Sequence, residues 1–504
     1  MEKQMKKIIA LLLVLTTCFT LLVACRKKPP VTTETPVSYE KVRYDVPAGG
    51  YDGSEVTITF SHTMGEELRD ILDQYIKVFN EIYPNITVEH SQVGGYNDVR
   101  DTVNKQLTAG NQPNIAYCYP DHVALYNLTG KVVPLDNFIE SKIPDTFAGE
   151  GAILGLTDTE IANFIDTYYA EGTVFDAAGT MYTLPMSKST EVIYYNKTFF
   201  DAYNLTVPTT WAEMEQVCAQ IKAIISDPNS PYYNPLSYPL GYDSESNWFI
   251  TMCEQYGSAY TKNDAQKFYF NNQTNRDFVK MFRGWYEKGY FTTQELYGAY
   301  TSGLFTNTTD STKGAAYMCI GSTGGAKNQV PKVNDGTPAF EVGVAPIPQY
   351  DANNKKAISQ GPSLVIFDQE NKQEVVASWL FVKFLATNAK FQAAFSMVSG
   401  YIPVIEKDVL VEALPAYGTW LETGLAPGVT GTPAYKDVVI SKTIKVALTQ
   451  VDTFYTSPAF NGSSTARDQV AEIMKYCFVT PTDNVDALIA DAFKKALEEC
   501  VQNS

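Results

Sequence analysis

The chain has 504 residues, 45% of them hydrophobic, and a formal net charge of −17. That length suffices for a large core in more than one folded unit, and that charge excludes an electrostatic hold on nucleic acid or anionic lipid. His62, His90 and His122 are the only histidines, none stands four residues from another, and no Cys-x-x-Cys pair occurs, so neither a metal nor another cofactor is expected.

In chain order, Lys3, Lys6 and Lys7 precede an unbroken apolar run from Ile8 to Leu15, and Leu22, Val23 and Ala24 lead into Cys25. A basic start, an apolar middle and a small-residue end read as a signal peptide over 1–24, and the run is too short for a permanent span. Cys25 after Leu-Val-Ala resembles the bacterial lipobox, which implies that its thiol carries a diacylglycerol. Two acyl chains satisfy the requirement for stable anchoring. Residues 1–24 hold three Lys and one Glu, a net of +2, so the remaining chain carries −17 − 2 = −19. Residues 25–53, with Pro29, Pro30, Pro36, Gly49 and Gly50, read as a flexible tether. The six further cysteines, Cys118, Cys218, Cys253, Cys319, Cys477 and Cys500, are widely spread and read as buried thiols rather than a disulfide framework.

From Glu55 to Phe60 the residues are β-branched and aromatic, a strand. Leu68, Leu72, Tyr75, Ile76 and Phe79 recur at helical spacing. Ile86–Glu89 is a second strand. Tyr96, Val99, Val103 and Leu107 mark a helix closed by Gly110, and Ile115–Tyr119 is a third strand. This βαβαβ order predicts an open, largely parallel sheet with helices on both faces. Val192–Tyr195 predicts another strand, and Thr210 with Glu213 a capping box. Helices are expected over Asn247–Tyr256 and Asp277–Lys288, and strands over Ala315–Ile320, Glu341–Ala345 and Leu364–Phe367. Glu374–Ala386, Phe391–Val398 and Val485–Cys500 read as helices.

Five segments in this order resemble the family 1 extracellular solute-binding proteins: Thr57–Gly65 (TITFSHTMG), Leu184–Lys197 (LPMSKSTEVIYYNK) with Val207–Trp211 (VPTTW), Val342–Pro348 (VGVAPIP), Gly400–Val404 (GYIPV) and Pro458–Arg467 (PAFNGSSTAR). The resemblance implies an α/β fold of the type II periplasmic-binding-protein kind. Two lobes, each an open sheet flanked by helices, are joined by crossover strands and close on a solute. It places the crossovers near Ser187–Glu191 and near Gly325. The lobes are then 54–187 with 326–367, and 188–325 with 368–504. It also implies a monomer that hands a mono- or oligosaccharide, or a glycerol-phosphate type solute, to ABC permease subunits driven by a cytoplasmic ATPase. The chain itself has no phosphate-binding Gly-x-x-x-x-Gly-Lys-Ser/Thr loop. Catalytic motifs such as Gly-x-Ser-x-Gly are absent, so an enzyme is not expected. The alternatives are a lipid-anchored glycan-active enzyme and a sugar-sensing or adhesin lipoprotein on the same fold.

Ligands of open α/β sheets sit beyond the carboxyl ends of strands. That rule points to His62 and Thr63, to Tyr119 and Asp121, and to Gly324 and Gly325. Asp121 suits a pair of sugar hydroxyls or, alternatively, a helix cap. The proposed crossover adds Ser187, Ser189, Thr190 and Glu191. Asp243 and Trp248 flank a helix start, with Trp248 either stacking on a sugar face or lying in the core. Tyr401 either caps the cleft or packs beneath its turn. Arg467 either clamps an acidic or hydroxyl pair or forms a surface ion pair. Tyrosine is plentiful, 33 residues, but tyrosine serves cores as well as sugar sites.

Overall fold

Val56, Ile58 and Phe60 are buried while Thr57 is exposed, the alternation expected of a strand with one face on a core. Leu68, Leu72 and Phe79 place a single buried stripe on the helix Glu66–Ile82. Thr210 and Glu213 form the expected box: Thr210 Oγ1 accepts from Glu213 N at 3.2 Å, and Glu213 Oε2 accepts from Thr210 N at 3.1 Å. The computed structural model describes residues 40–308 and 310–504. The expectations for the signal peptide and for Cys25 therefore lie outside the described residues.

The longer strands run β1 (Val56–His62), β2 (Ile86–Gln92), β3 (Ile115–Cys118), β4 (Thr183–Pro185), β5 (Glu191–Asn196), β6 (Tyr238–Tyr242), β7 (Phe291–Thr293), β8 (Ala316–Ser322), β9 (Val342–Pro346) and β10 (Ser363–Ile366). They form two five-stranded sheets, ordered β2-β1-β3-β10-β4 and β9-β5-β8-β6-β7. In the first, β1 lies parallel to β2 and β3, as the βαβαβ order requires, and β10 runs antiparallel between β3 and β4. The second is mixed: β5 is antiparallel to β8 and β9, and β6 is parallel to β7 and β8.

Two expectations about organisation are corrected. First, the segment 326–367 does not belong to the first sheet as a block. Val342–Pro346 pairs along its full length with β5, so the chain stays with the second sheet past Gly325. It returns only between Ile358 and Ser363. Nor does 368–504 belong wholly to the second lobe: the helix Lys372–Thr387 packs on β1, β4 and β10, and Ala389–Ser399 packs on Glu66–Ile82. The last two helices, Ser463–Val479 and Val485–Gln502, do pack in the second sheet's core. Second, the tether reading extends too far. Tyr51 is buried against Tyr83 and Phe147, Tyr44 Oη donates to Asp368 at 2.7 Å, and Lys41 pairs with Asp136 at 2.6 Å. These aromatic anchors fix 41–53 to the body despite its loop-like composition.

The passages between the sheets run side by side. Met186–Thr190 leads from β4 to β5, and Ser359–Pro362 leads back to β10. Ser189 N donates to Gln360 O and Gln360 N to Ser189 O, both at 2.8 Å. Gly361 adopts φ +95°, and a Cβ there would lie 2.6 Å from Ser187 O, so a larger residue would push the two passages apart. Lys188, fully buried, pairs with Glu171 and donates to Ser363 Oγ at 3.0 Å. The six described cysteines are buried free thiols.

Candidate functional site

Between the two sheets lies a cleft with an empty volume of about 1700 Å3, its open mouth included. The first sheet's half supplies Gly95–Asp98 from the first turn of the helix Tyr96–Ala109, Tyr119 just after β3, and Tyr401. The second supplies Glu191 at the start of β5, Asp243–Asn247 after β6, Tyr300, Ser322 at the end of β8 with Gly324 and Gly325 just beyond it, and Arg467. Ser189 and Gln360, the paired residues of the two passages, form its floor.

One wall is aromatic. Tyr96 and Tyr119 stack with ring centroids 4.3 Å apart, and Tyr96 Oη lies 3.1 Å from Tyr401 Oη. The Tyr401 ring lies over Gly324, where a Cβ would come within 2.7 Å of it. The turn after β8 thus needs glycine to seat this tyrosine. Such rings offer flat, apolar area with polar edges, the surface that suits a sugar face.

The opposite wall is a network of amides and carboxylates. Glu191 accepts from Tyr242 Oη at 2.6 Å and from Asn247 Nδ2 at 3.0 Å. Asn247 and Gln360 exchange amide hydrogen bonds at 2.7 and 2.9 Å, and an Arg467 Nη donates to Asn247 Oδ1. Burial raises the Glu191 carboxyl to about 7, although Tyr242, Asn247 and Arg467 all favour its charged form. Burial likewise raises Asp243 and Glu245. Asp243 accepts from Thr301 N at 2.7 Å and from Thr301 Oγ1 at 2.6 Å.

Of the residues singled out from sequence, the structure brings Tyr119, Ser189, Glu191, Asp243, Gly324, Gly325, Tyr401 and Arg467 to this cleft. The others lie elsewhere. His62 is fully buried, and Thr63 follows it off the cleft wall. His62 Nδ1 accepts from Met64 N at 3.1 Å, and its Nε2 lies 2.8 Å from His90 Nδ1, which leads to Asp73. The His62 ring packs against Phe60 and Tyr117, and burial drives His62 down to about 3. Trp248 is also core, stacked on Tyr242 at 4.6 Å and near Trp211 at 6.0 Å. Ser187 and Thr190 are buried in the first passage, off the cleft wall.

Asp121 lines a smaller cavity beyond Tyr119 and Arg467 instead. It does not cap its helix, whose N-cap is Tyr119. Its carboxylate accepts from Ser464 Oγ at 2.7 Å, tying the two halves together. Burial opposes the charge, but His122, Arg467 and Ser464 outweigh it and hold Asp121 below the usual carboxylate range. Arg100 and Asp468 form a second tie at 3.5 Å.

Sequence reasoning missed Tyr96, Asn247 and Gln360. Tyr96 served only as a helix residue there, but the first turn of a helix following a parallel strand is where this fold presents groups to a ligand. Gln360 had no local signal, since its place depends on pairing with Ser189 across the chain.

A family model for bacterial extracellular solute-binding proteins matches residues 74–419. The chain is a bacterial extracellular solute-binding protein. Among relatives, it is 24% identical over 357 residues to the sn-glycerol-3-phosphate-binding periplasmic protein UgpB of Escherichia coli strain K12, covering 69% of this chain and 74% of that one. Solved structures share the fold at lower identity. UgpB of Mycobacterium tuberculosis, in complex with glycerophosphocholine, matches with a TM-score of 0.65 and 17% identity over 89% of this chain and 98% of that one. MalE of Bdellovibrio bacteriovorus, bound to maltotriose, gives 0.62 and 15% over 89% and 100%. The solute-binding protein therefore has the expected two-lobed α/β architecture, and its relatives are binding proteins. Among the described residues no helix is long and apolar enough to cross a membrane.

Proposed function

We propose that this solute-binding protein is the extracytoplasmic, lipid-anchored receptor of an ABC importer, binding a mono- or oligosaccharide between its lobes. The observation that carries the reading is the cleft itself: stacked Tyr96 and Tyr119 face a wall of Asn247, Glu191, Asp243 and Arg467. Rings suit the C–H faces of a sugar, and carboxylate, amide and guanidinium groups suit its hydroxyl edge. Names of relatives, with maltotriose in one structure and glycerophosphocholine in another, support a polar solute of this size.

The mechanism is a population shift. Solute touching both lobes binds best when they are closed, so its binding free energy favours that state. Bending falls on the two passages, where Ser189 and Gln360 pair. The closed monomer then docks on permease subunits whose cytoplasmic ATPases drive transport, while acylated Cys25 holds it to the membrane. The cleft groups serve binding rather than turnover. A thermal-shift panel of saccharides tests the reading: at least one sugar raises the Tm of the wild type and does so much less in Tyr119→Ala. A flat response across the panel contradicts it, as does release of a shorter sugar during incubation.

A further inference from the structure

The charge of the cleft wall narrows the solute class further, on the reading that the cleft is the solute site. Arg467 is the only cation lining the cleft among the described residues, and it already donates to Asn247. Four carboxylates line the cleft without an ion pair among the described residues, each held by hydrogen bonds alone: Asp98, Glu191, Asp243 and Glu245. The other two acidic groups of the wall are paired with cations, Asp468 with Arg100 at 3.5 Å and Glu295 with Lys475 at 3.3 Å.

A second observation points to the kind of group that belongs there. Gln329 lines the cleft, is 2% exposed, and its Oε1 has no hydrogen-bond donor among the described residues. The Cys319 thiol fixes its orientation. That thiol donates to Asp243 Oδ2 at 3.8 Å and accepts from Gln329 Nε2 at 3.4 Å, which turns the amide oxygen away from it. Asp243 and Gln329 flank Gly321, where a Cβ would lie 2.9 Å from Asp243 Oδ2 and 3.3 Å from Gln329 Nε2. This corner therefore places an unmet amide acceptor near a carboxylate that has hydrogen-bond donors but no cation among the described residues. An unmet buried acceptor is unfavourable, and a phosphate placed beside it would meet like charge.

An ammonium group brings three donors and no acceptor, and charge-assisted bonds are the stronger kind. We propose that the solute is an amine-bearing saccharide whose ammonium lies against Asp243 and the Gln329 amide oxygen. N-acetylation removes that charge and enlarges the group, and a hydroxyl in its place brings one donor instead of three.

Calorimetric titration of the purified protein tests this. The probes are glucosamine, galactosamine and the β-1,4 glucosamine di- and trisaccharides, each beside its N-acetylated and its 2-hydroxy counterpart, with maltotriose and sn-glycerol 3-phosphate added. The expected result is an amine-bearing probe that binds at least tenfold tighter than both counterparts and weakens with added salt, a preference that Asp243→Asn removes. A neutral or N-acetylated probe binding as tightly as its amine, or binding of glycerol phosphate, overturns the inference and leaves the solute-binding reading standing. Silence from every probe counts against both.

Discussion

Replacing Glu191 by Gln separates the two demands made on the carboxylate in the cleft wall. In the folded protein its carboxyl titrates at about 7, against an ordinary value of 4.5, chiefly because it is buried. A raised carboxylate pKa makes the folded state bind the proton more tightly than the unfolded chain does. Stability is therefore lost as pH rises from the unfolded value through the folded one. At 1.36 kcal/mol per pH unit, the full loss is about 3 kcal/mol, of which about 2–3 kcal/mol falls between pH 5 and 8. Glutamine does not titrate, so Glu191→Gln escapes that loss. It carries a separate, pH-independent cost. Tyr242 Oη and Asn247 Nδ2 both donate to the carboxylate, and a glutamine Nε2 leaves one of them facing another donor. That mismatch costs about 1–2 kcal/mol. The stability of the variant relative to wild type should rise by about 2–3 kcal/mol between pH 5 and pH 8. Urea denaturation of both proteins at the two pH values measures the difference. A difference that does not change with pH, or that moves against the variant as pH rises, refutes the reasoning.

Three further outcomes are expected. Lys188→Met leaves Glu171 buried without its cation and should cost about 3–5 kcal/mol, while the double variant Lys188→Met, Glu171→Gln should recover much of it; urea midpoints of the four proteins in the cycle read the coupling. Gly361→Ala should lower stability by about 1–3 kcal/mol, because a side chain at φ +95° meets Ser187 and Lys188 backbone atoms; a melting temperature equal to that of the wild type would contradict the close crossing of the two passages. Trp248→Ala should cost about 3–5 kcal/mol through loss of core packing. In calorimetry the surviving folded fraction should keep its solute affinity, a split that a stacking role in the cleft would not give.

Much of the fold was legible because local patterns carry it. The βαβαβ order around Val56–Cys118 requires adjacent parallel strands and leaves little topological choice. Pairing across long stretches of chain was not legible. Val342–Pro346 reads as a strand from its residues, but only the buried face it offers to Glu191–Asn196 assigns it to the second sheet. Within the site, strand-end logic placed Tyr119, Gly324 and Gly325 on the cleft, the resemblance placed Ser189 and Glu191 there, a helix start drew Asp243, and ring or guanidinium chemistry drew Tyr401 and Arg467. The strand-end logic failed at His62, whose ring packs on Phe60 and Tyr117 and bonds Met64 N and His90 instead of facing the cleft. The helix start misled at Trp248 because a single residue step, a rotation of about 100°, separates Asn247, which reaches Glu191 and Gln360, from Trp248, which points into the core. Tyr44 and Tyr51 show the converse, in which two aromatic side chains order a stretch whose Gly and Pro content reads as a linker.

A crystal structure of the protein with the saccharide that raises its melting temperature most tests solute binding between the lobes most directly. The sugar is expected with one ring face on Tyr96 and Tyr119 and its polar edge toward Asp243 and Asn247. Sugar bound to an outer surface, with the space between the two sheets holding only solvent, would contradict it.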